Sequence, residues 1–204
     1  MTRVYDEPAL MATLEPLDRW AKTAFAAACA QRMFPLFERY AQSAGELAQA
    51  QRLAEILSAA WDVASGLVND VRLMDSEAAS MPPSDDEEWV LEVGYGQNAA
   101  FAVAYAIRTW LTDDPQEAAW AARQVYEVAE YAVFESDLKP GEIYLYRPGD
   151  RAEDEALKSE IVQAALSAIE QDLATVASSP PAWRELRQRA EREGRIWAAT
   201  FPES

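Results

Sequence analysis

Apolar positions recur every three or four residues over most of the chain, which is the spacing that places side chains on one face of an α-helix. The pattern predicts helices over about 13–44, with a break or kink near Met33 or Phe34 before Pro35, then over about 46–69, 84–111, 115–137, 152–177 and 182–199. Because long helices joined by short loops pack as bundles, we predict an all-α, single-domain bundle of about six to seven helices without a sheet.

Local signals mark helix starts and irregular segments. Asp114-Pro115-Gln116-Glu117 combines a capping residue, a proline at the first helical position and an acidic first turn, so a helix should begin there. Ser84, with a glutamate three residues later, has the spacing of a capping box. Residues 1–12 are predicted to be a loose arm, and residues 138–151, bracketed by Pro-Gly pairs, an ordered loop.

Composition narrows the chemistry. The chain has 35 acidic and 18 basic residues, a formal net charge of −17, no histidine and one cysteine. Nucleic acids and anionic membranes need a basic surface, so neither is an expected partner, whereas a basic protein would suit this charge. Histidine, the commonest general base and metal ligand, is absent, and a single cysteine cannot form an intramolecular disulfide or a thiolate metal site. We therefore expect no cofactor, no transition-metal site and no catalytic residues.

No segment has the length of a membrane span. The longest strongly apolar run is Ala99–Ile107, far short of the roughly 20 residues that a spanning helix needs. The first 20 residues carry four acidic side chains and no long apolar run, so an export signal is not predicted. We expect a soluble, cytoplasmic protein, and the pattern leaves its oligomeric state open.

An acidic cluster follows the proline-rich turn in a span, 73–107, that contains no lysine or arginine. Its members are Asp85, Asp86, Glu87, Glu88 and Glu92. Carboxylates favour the positive end of a helix, which accounts for such a cluster without any ligand. Alternatively, a solvent-facing cluster attracts a basic partner or weakly binds a divalent ion. These five residues are candidates for partner binding.

The helix predicted over 115–137 has apolar side chains on two flanks. Alanine and valine fill one flank, and Trp120, Tyr131 and Phe134 lie on the other. Such a helix either lies inside the bundle, which we favour, or covers a partner with aromatic anchors of the kind that dominate binding interfaces. These three aromatic residues are therefore further candidates for partner binding.

Two residues of the first long helix have structural interpretations. Cys29 lies among alanines and no histidine is present to activate it, so we predict a buried, apolar role. Arg32 lies beside the apolar stripe, where a guanidinium needs a carboxylate, so we predict an intramolecular ion pair. The arginines of the last helix are likewise expected to pair with the acidic body of the protein.

Several short motifs lie along the first two thirds of the chain. They are Trp20 and Phe25 followed by Arg32-Met33-Phe34-Pro35, then Leu57 with Trp61, the turn Pro83–Asp86 and the alanine-rich helix after Gln97. Together these motifs resemble the YjaG-like family of bacterial proteins, a family of unknown function. The resemblance covers about residues 14–135. It implies an all-helical fold and brings no established catalytic residue with it.

These observations favour a non-enzymatic interaction protein. More specifically, we interpret it as an immunity or antitoxin-like protein that neutralises a basic protein partner such as a toxin. The alternative is a housekeeping protein with a carboxylate-bound metal or a small ligand between its helices. The carboxylates available for such a metal would be Glu117, Glu127, Glu130, Glu135, Glu160 and Glu170.

Charge reversal tests the acidic cluster. Asp86→Lys combined with Glu88→Lys should leave the helical circular dichroism unchanged, because surface substitutions usually alter stability by about 0.5 kcal/mol or less. Association with a basic partner should slow and its salt dependence should flatten, as measured by surface plasmon resonance at low and high salt. An unchanged association rate would remove the cluster from the interface and favour Trp120, Tyr131 and Phe134.

Overall fold

The structure, a computed structural model, describes residues 2–67, 70–83, 91–136, 155–178 and 183–203. Within these residues the chain forms eight helices of six residues or more and no strand, which confirms the all-α fold. In chain order they are α1 (Glu7–Leu14), α2 (Arg19–Ala44), α3 (Leu47–Ala64), α4 (Met74–Ala79), α5 (Leu91–Thr112), α6 (Pro115–Ser136), α7 (Glu160–Val176) and α8 (Trp183–Thr200).

Helix α2 is the centre of the bundle, and α3, α5, α6, α7 and α8 all pack against it. Every residue from Ala21 to Phe37 is buried, because small alanine side chains let neighbouring helices approach α2 from all sides. A break or a kink was predicted at Pro35, and the break is wrong. The helix continues to Ala44, since packing around α2 outweighs the roughly 3 kcal/mol that an interior proline costs.

The predicted loose arm is also wrong from residue 7 onward. Helix α1 begins at Glu7, where the Asp6 carboxylate accepts a hydrogen bond from the Ala9 amide at 3.0 Å. Leu10 and Leu14 then enter the core. The start of α1 has a capping aspartate and a proline in the first turn, the same signal that predicts the start of the helix at residue 115.

Two other helices end or begin at residues different from those predicted from the sequence. Helix α3 ends at Ala64 instead of near 69, and Gly66 follows it in the left-handed region with φ of 81°. Helix α7 begins at Glu160, where the Ser159 hydroxyl caps it by accepting from an amide of its first turn. A separate helical turn at 155–157 precedes it, and the predicted start near 152 lies outside the described residues. The predicted helix start at Ser84 and the loop at 138–151 lie outside the described residues.

The turn between α5 and α6 is held by both of its aspartates. Asp114 caps α6 as predicted, and its carboxylate accepts from the Gln116 amide at 2.9 Å. Asp113 adopts a positive φ of 62°, which aspartate tolerates better than most residues. The buried Lys22 ammonium of α2 lies 2.7 Å from the Asp113 carbonyl and 2.8 Å from its carboxylate. This cation fixes the α5–α6 pair against α2.

At the other end of α2, Arg39 holds the C-terminus of α8. Its guanidinium donates to the carbonyl oxygens of Ala198, Phe201 and Pro202 at 3.0, 3.2 and 2.8 Å. Cations are favourable beside these helix-terminal carbonyls, which have no partner inside the helix. The guanidinium also lies over the Tyr95 ring of α5, 5.1 Å from its centroid.

Helix α8 crosses α2 with the two backbones in contact. A Cβ atom added at Gly194 would overlap the carbonyl oxygen of Arg32 and would lie 3.0 Å from its carbonyl carbon. Backbone atoms cannot swing aside as a side chain can, so this crossing requires glycine.

We expect Gly194→Ala to destabilise the protein by about 1–3 kcal/mol, because the added methyl group overpacks the crossing. Helix propensity alone would make the alanine variant more stable than the glycine protein, so a loss of stability identifies the steric overlap at the crossing. Urea unfolding followed by circular dichroism measures it. As the matched control, Ala199→Gly at an exposed position of α8 should be mildly destabilising through helix propensity alone. A more stable Gly194→Ala protein would disprove the close crossing.

Candidate functional site

A buried ion cluster joins α2, α7 and α8. The Arg32 guanidinium is fully enclosed and donates to the Asp172 carboxylate at 2.7 Å and to the Glu193 carboxylate at 2.8 Å. Arg189 donates to the other Asp172 oxygen at 2.7 Å. Two guanidinium groups thus face two carboxylates, and the cluster has no excess charge to offer a ligand.

The electrostatics of the cluster are those of a structural ion pair. Burial alone lowers the pKa of Arg32, but the Asp172 and Glu193 carboxylates outweigh it and hold the pKa above its ordinary value. The predicted intramolecular pairing of Arg32 is confirmed. Its partners were not predicted, because Asp172 is 140 positions away in the sequence and no local spacing connects the two.

Three aromatic side chains form a partly exposed surface where α5 meets α6. Phe101 and Tyr105 of α5 stack with centroids 6.5 Å apart, and Tyr105 contacts Trp120 of α6 at 5.6 Å. Phe101 is 38% exposed, and the other two rings are half-buried. We call Phe101, Tyr105 and Trp120 the aromatic face.

Charged groups border the aromatic face. Arg108 lies over the Tyr105 ring, 5.7 Å from its centroid, and donates to Asp75 of α4 at 2.6 Å. Glu117 lies three residues before Trp120 on α6, and one of its carboxylate oxygens is buried without a hydrogen-bond partner. Burial raises the pKa of Glu117, the Arg108 charge lowers it, and the Asp114 and Asp75 charges raise it further. The aromatic face therefore lies beside a carboxylate of which one oxygen is enclosed and accepts no hydrogen bond.

Two of the three aromatic candidates on α6 contact α5. Trp120 contacts Tyr105, and Tyr131 contacts the Tyr95 ring edge-to-face at 5.6 Å. Phe134 is half-buried near the end of the described part of α6. The opposite flank, including Ala118, Val125 and Ala132, is fully buried, which agrees with the favoured position inside the bundle. Trp120 thus contacts Tyr105, which stacks on Phe101. Neither residue of α5 was predicted, although their spacing of four on one helix face was a usable signal.

The acidic cluster divides at the boundary of the described residues. Asp85, Asp86, Glu87 and Glu88 lie outside the described residues. Glu92 was expected to face solvent, and that expectation is wrong. It is only 6% exposed, and its carboxylate lies 3.6 Å from the Arg39 guanidinium, because the N-terminal part of α5 packs against α2.

Three of the six carboxylates considered for a metal site have separate protein partners, and the side chain of Glu135 lies outside the described residues. Glu127 pairs with Arg123 at 2.7 Å and Glu170 with Arg3 at 2.6 Å, while Glu130 accepts from the Tyr126 hydroxyl at 3.0 Å. Among the described residues, no group of three or more histidine, cysteine, aspartate or glutamate side chains is placed to hold a metal ion.

Cys29 is fully enclosed in the core, as predicted. Burial is the main reason that the pKa of its thiol lies far above its ordinary value, and the Asp172 charge adds to the effect. A thiol in this state stays protonated and packs as a small apolar group.

A groove of about 320 Å³ lies between α7 and α8. Its lining includes Ala168, Gln171, Glu193, Ile196 and Trp197. The Glu193 carboxylate is already bound to Arg32, so the groove presents mainly apolar groups and an amide.

None of the described helices is both long and apolar enough to cross a membrane.

The arrangement defines an all-α helical protein with a neutral ion cluster inside and an aromatic face outside. The chain belongs to the family described as protein of unknown function (DUF416), which it matches over residues 9–195. The narrower resemblance to YjaG-like proteins remains a prediction. No curated protein matches the sequence.

A solved structure shares the fold. It is the crystal structure of a DUF416 family protein from Shewanella baltica OS155, with a TM-score of 0.68 and 14% sequence identity over 91% of this chain and 93% of that one. At this identity the likeness concerns the fold alone.

Removing Asp172 tests the buried cluster. We expect Asp172→Ala to cost about 3–5 kcal/mol, because it leaves the Arg32 charge enclosed beside a single remaining carboxylate. Urea unfolding measures the loss, and the isosteric Asp172→Asn serves if the alanine variant does not fold. The control is Asp70→Ala, which breaks the exposed pair with Arg72 and should leave the unfolding midpoint unchanged. Equal effects of Asp172→Asn and Asp70→Ala would contradict the structural role.

Proposed function

We propose that this protein is a non-enzymatic binding protein for a basic protein partner, in the manner of an immunity or antitoxin protein that neutralises a toxin. The protein acts in the cytoplasm, the location expected from its sequence. The aromatic face forms the centre of the contact, and the negative charge of the chain attracts the partner before contact.

The observation that carries the proposal is the aromatic face itself. Most large apolar side chains of the described residues are buried, yet Phe101, Tyr105 and Trp120 form a contiguous, partly exposed group with Arg108 beside it. Aromatic residues and arginine are the types most enriched at the energetic centres of protein interfaces. Exposed apolar patches of this kind mark interaction sites.

The charge of the chain supports a basic partner. A net charge of −17 attracts a positively charged protein over a distance of about 10 Å at moderate salt and repels acidic ones. Asp85, Asp86, Glu87 and Glu88 keep their proposed role as attractors, whereas the buried Glu92 is not part of this proposal. Tyr131 and Phe134 remain predicted contacts.

Recovery of the partner tests this function. The full chain, tagged and expressed in its native host, should retain one predominant protein of net positive charge, which mass spectrometry identifies. The association rate of the purified pair should fall steeply with salt. Production of the partner alone should stop growth, and co-production of this protein should restore it.

Two variants connect the complex to the aromatic face. Phe101→Ala should weaken the complex by about tenfold, because it removes a ring from the centre of the contact. Ile196→Ala, which trims an exposed apolar side chain on α8, is the matched control and should leave the affinity unchanged. A predominant partner of net negative charge, or growth that does not depend on this protein, would refute the proposed function.

A further inference from the structure

A short segment before α1 lies across α7 and α6 and is held there by side chains. The side-chain amide of Gln163 on α7 accepts from the Arg3 backbone N–H at 2.9 Å and donates to the Arg3 carbonyl oxygen at 3.0 Å. Among the described residues, no backbone–backbone hydrogen bond holds residues 3–5. We call Arg3, Val4 and Tyr5 the strap.

The side chains of the strap contact both helices. The Arg3 guanidinium donates to the Glu170 carboxylate of α7 at 2.6 Å. The Tyr5 ring stacks on Tyr126 of α6 with centroids 5.2 Å apart, and its hydroxyl donates to the Ala119 carbonyl oxygen at 2.9 Å. Between them, Val4 is 66% exposed. The strap thus binds through alternate side chains and the backbone of one residue, as an extended peptide does on a protein surface.

Helix α1 does not depend on the strap. Its Leu10 and Leu14 side chains are buried in the core, and its Glu7 carboxylate accepts from the Gln116 side chain at 2.9 Å. The cap at Asp6 belongs to α1 itself. Release of the strap therefore requires no unfolding of α1, and a segment held by a few side chains belongs to the least stable part of a fold.

The groups that bind the strap have contacts of their own. Gln163 also donates to the Leu157 carbonyl oxygen at 2.7 Å, and the Tyr126 hydroxyl donates to Glu130 at 3.0 Å. They therefore stay in place when the strap leaves. We call this set the strap site, and it comprises Gln163, Glu170, Tyr126 and the Ala119 carbonyl oxygen.

The strap site adjoins the aromatic face. Ala119, which accepts from the Tyr5 hydroxyl, immediately precedes Trp120 in α6. Burial raises the pKa of Tyr5 and of Tyr105, and the Glu127 charge raises both further. One carboxylate thus acts on a ring of the strap and on a ring of the aromatic face. A partner that covers the aromatic face consequently reaches the strap.

The chemistry of the strap site fits a basic segment. Glu170 has 59% of its side-chain surface exposed, so a guanidinium from outside can reach its carboxylate. We propose that the strap occupies, in cis, a binding site for an extended segment of the basic partner in which arginine precedes tyrosine by two residues. This site deepens the proposed function and rests on it for the source of the segment. The strap competes with that segment and lowers its apparent affinity.

A peptide with the sequence of the strap tests the site without the natural partner. The probe is Thr-Arg-Val-Tyr-Asp-Glu, residues 2–7 of this chain, with a fluorescent label whose anisotropy reports binding. The full chain with Tyr5→Ala, whose own strap has lost its ring and hydroxyl contacts, should bind the peptide about tenfold more tightly than the unaltered chain. Equal binding to the two proteins, or no binding to the variant, would overturn the inference.

A second variant of the same segment is the control. Val4→Ala changes the exposed position of the strap and should bind the peptide as weakly as the unaltered chain does. If Val4→Ala bound the peptide as tightly as Tyr5→Ala, the competition would not depend on the Tyr5 contacts, and the proposal would fail. Circular dichroism confirms that both variants fold.

Altered peptides test which groups are recognised. With phenylalanine in place of tyrosine, binding to the Tyr5→Ala chain should weaken by about fivefold, because the donor to the Ala119 carbonyl oxygen is lost. With citrulline in place of arginine it should weaken by about threefold, because the charge that meets Glu170 is lost. Alanine in place of valine should leave the affinity unchanged. Two altered peptides that bind as well as the original would overturn the site.

Matched charge variants separate this site from the general negative field. In the Tyr5→Ala chain, Glu170→Gln should weaken the peptide by about threefold. Glu160→Gln removes the same charge from an exposed position of the same helix and should leave the affinity unchanged. Equal losses in the two variants would mean that only net charge matters and would overturn the site.

A second copy of this chain is the other source of such a segment. Light scattering should find a monomer, whereas a dimer that Tyr5→Ala dissociates would assign the site to exchange of the strap between copies and overturn the partner segment. Failure of the peptide experiment removes this site alone, whereas failure to recover a basic partner removes the proposed function.

Discussion

A positive charge enclosed in the middle of α2 constrains where the last two helices can lie. Arg32 is fully buried, and an unmatched guanidinium there would cost several kcal/mol. Helix α7 must therefore bring Asp172 to it, and α8 must bring Glu193. Helix α8 comes this close only because Gly194 lets its backbone touch that of Arg32. One ion cluster and one glycine thus determine the C-terminal part of the bundle.

Two further basic side chains of α2 bind neighbouring elements. Lys22 binds the turn after α5, and Arg39 binds the carbonyl groups at the end of α8. Each cation satisfies oxygen atoms that a helix leaves without partners at its C-terminus, where positive charge is favourable. The central helix therefore orients its neighbours through polar groups at three levels, while its alanines supply close packing without a strong preference for one orientation.

Because basic residues are used inside the bundle, fewer of them are left to neutralise the acidic surface. Several of the 18 basic residues are bound within the core or in ion pairs on the surface, while the chain carries 35 acidic ones. Beside the aromatic face, the Arg108 guanidinium is bound to Asp75, and the chain as a whole keeps a net charge of −17. The fold shared with the Shewanella baltica protein sets the positions of α5 and α6. Binding would depend on the few side chains that this chain presents there.

The sequence by itself determined the helical class, the start of α6 at Asp114, the burial of Cys29 and the need of Arg32 for a carboxylate. Helix periodicity, caps and the cost of an isolated charge are all local properties, so they can be read from neighbouring residues. Only the tertiary structure decided that Asp172 meets Arg32, that Glu92 is enclosed and that Trp120 joins Phe101 and Tyr105. These contacts connect distant parts of the chain, and helix packing, which no local spacing encodes, brings them together.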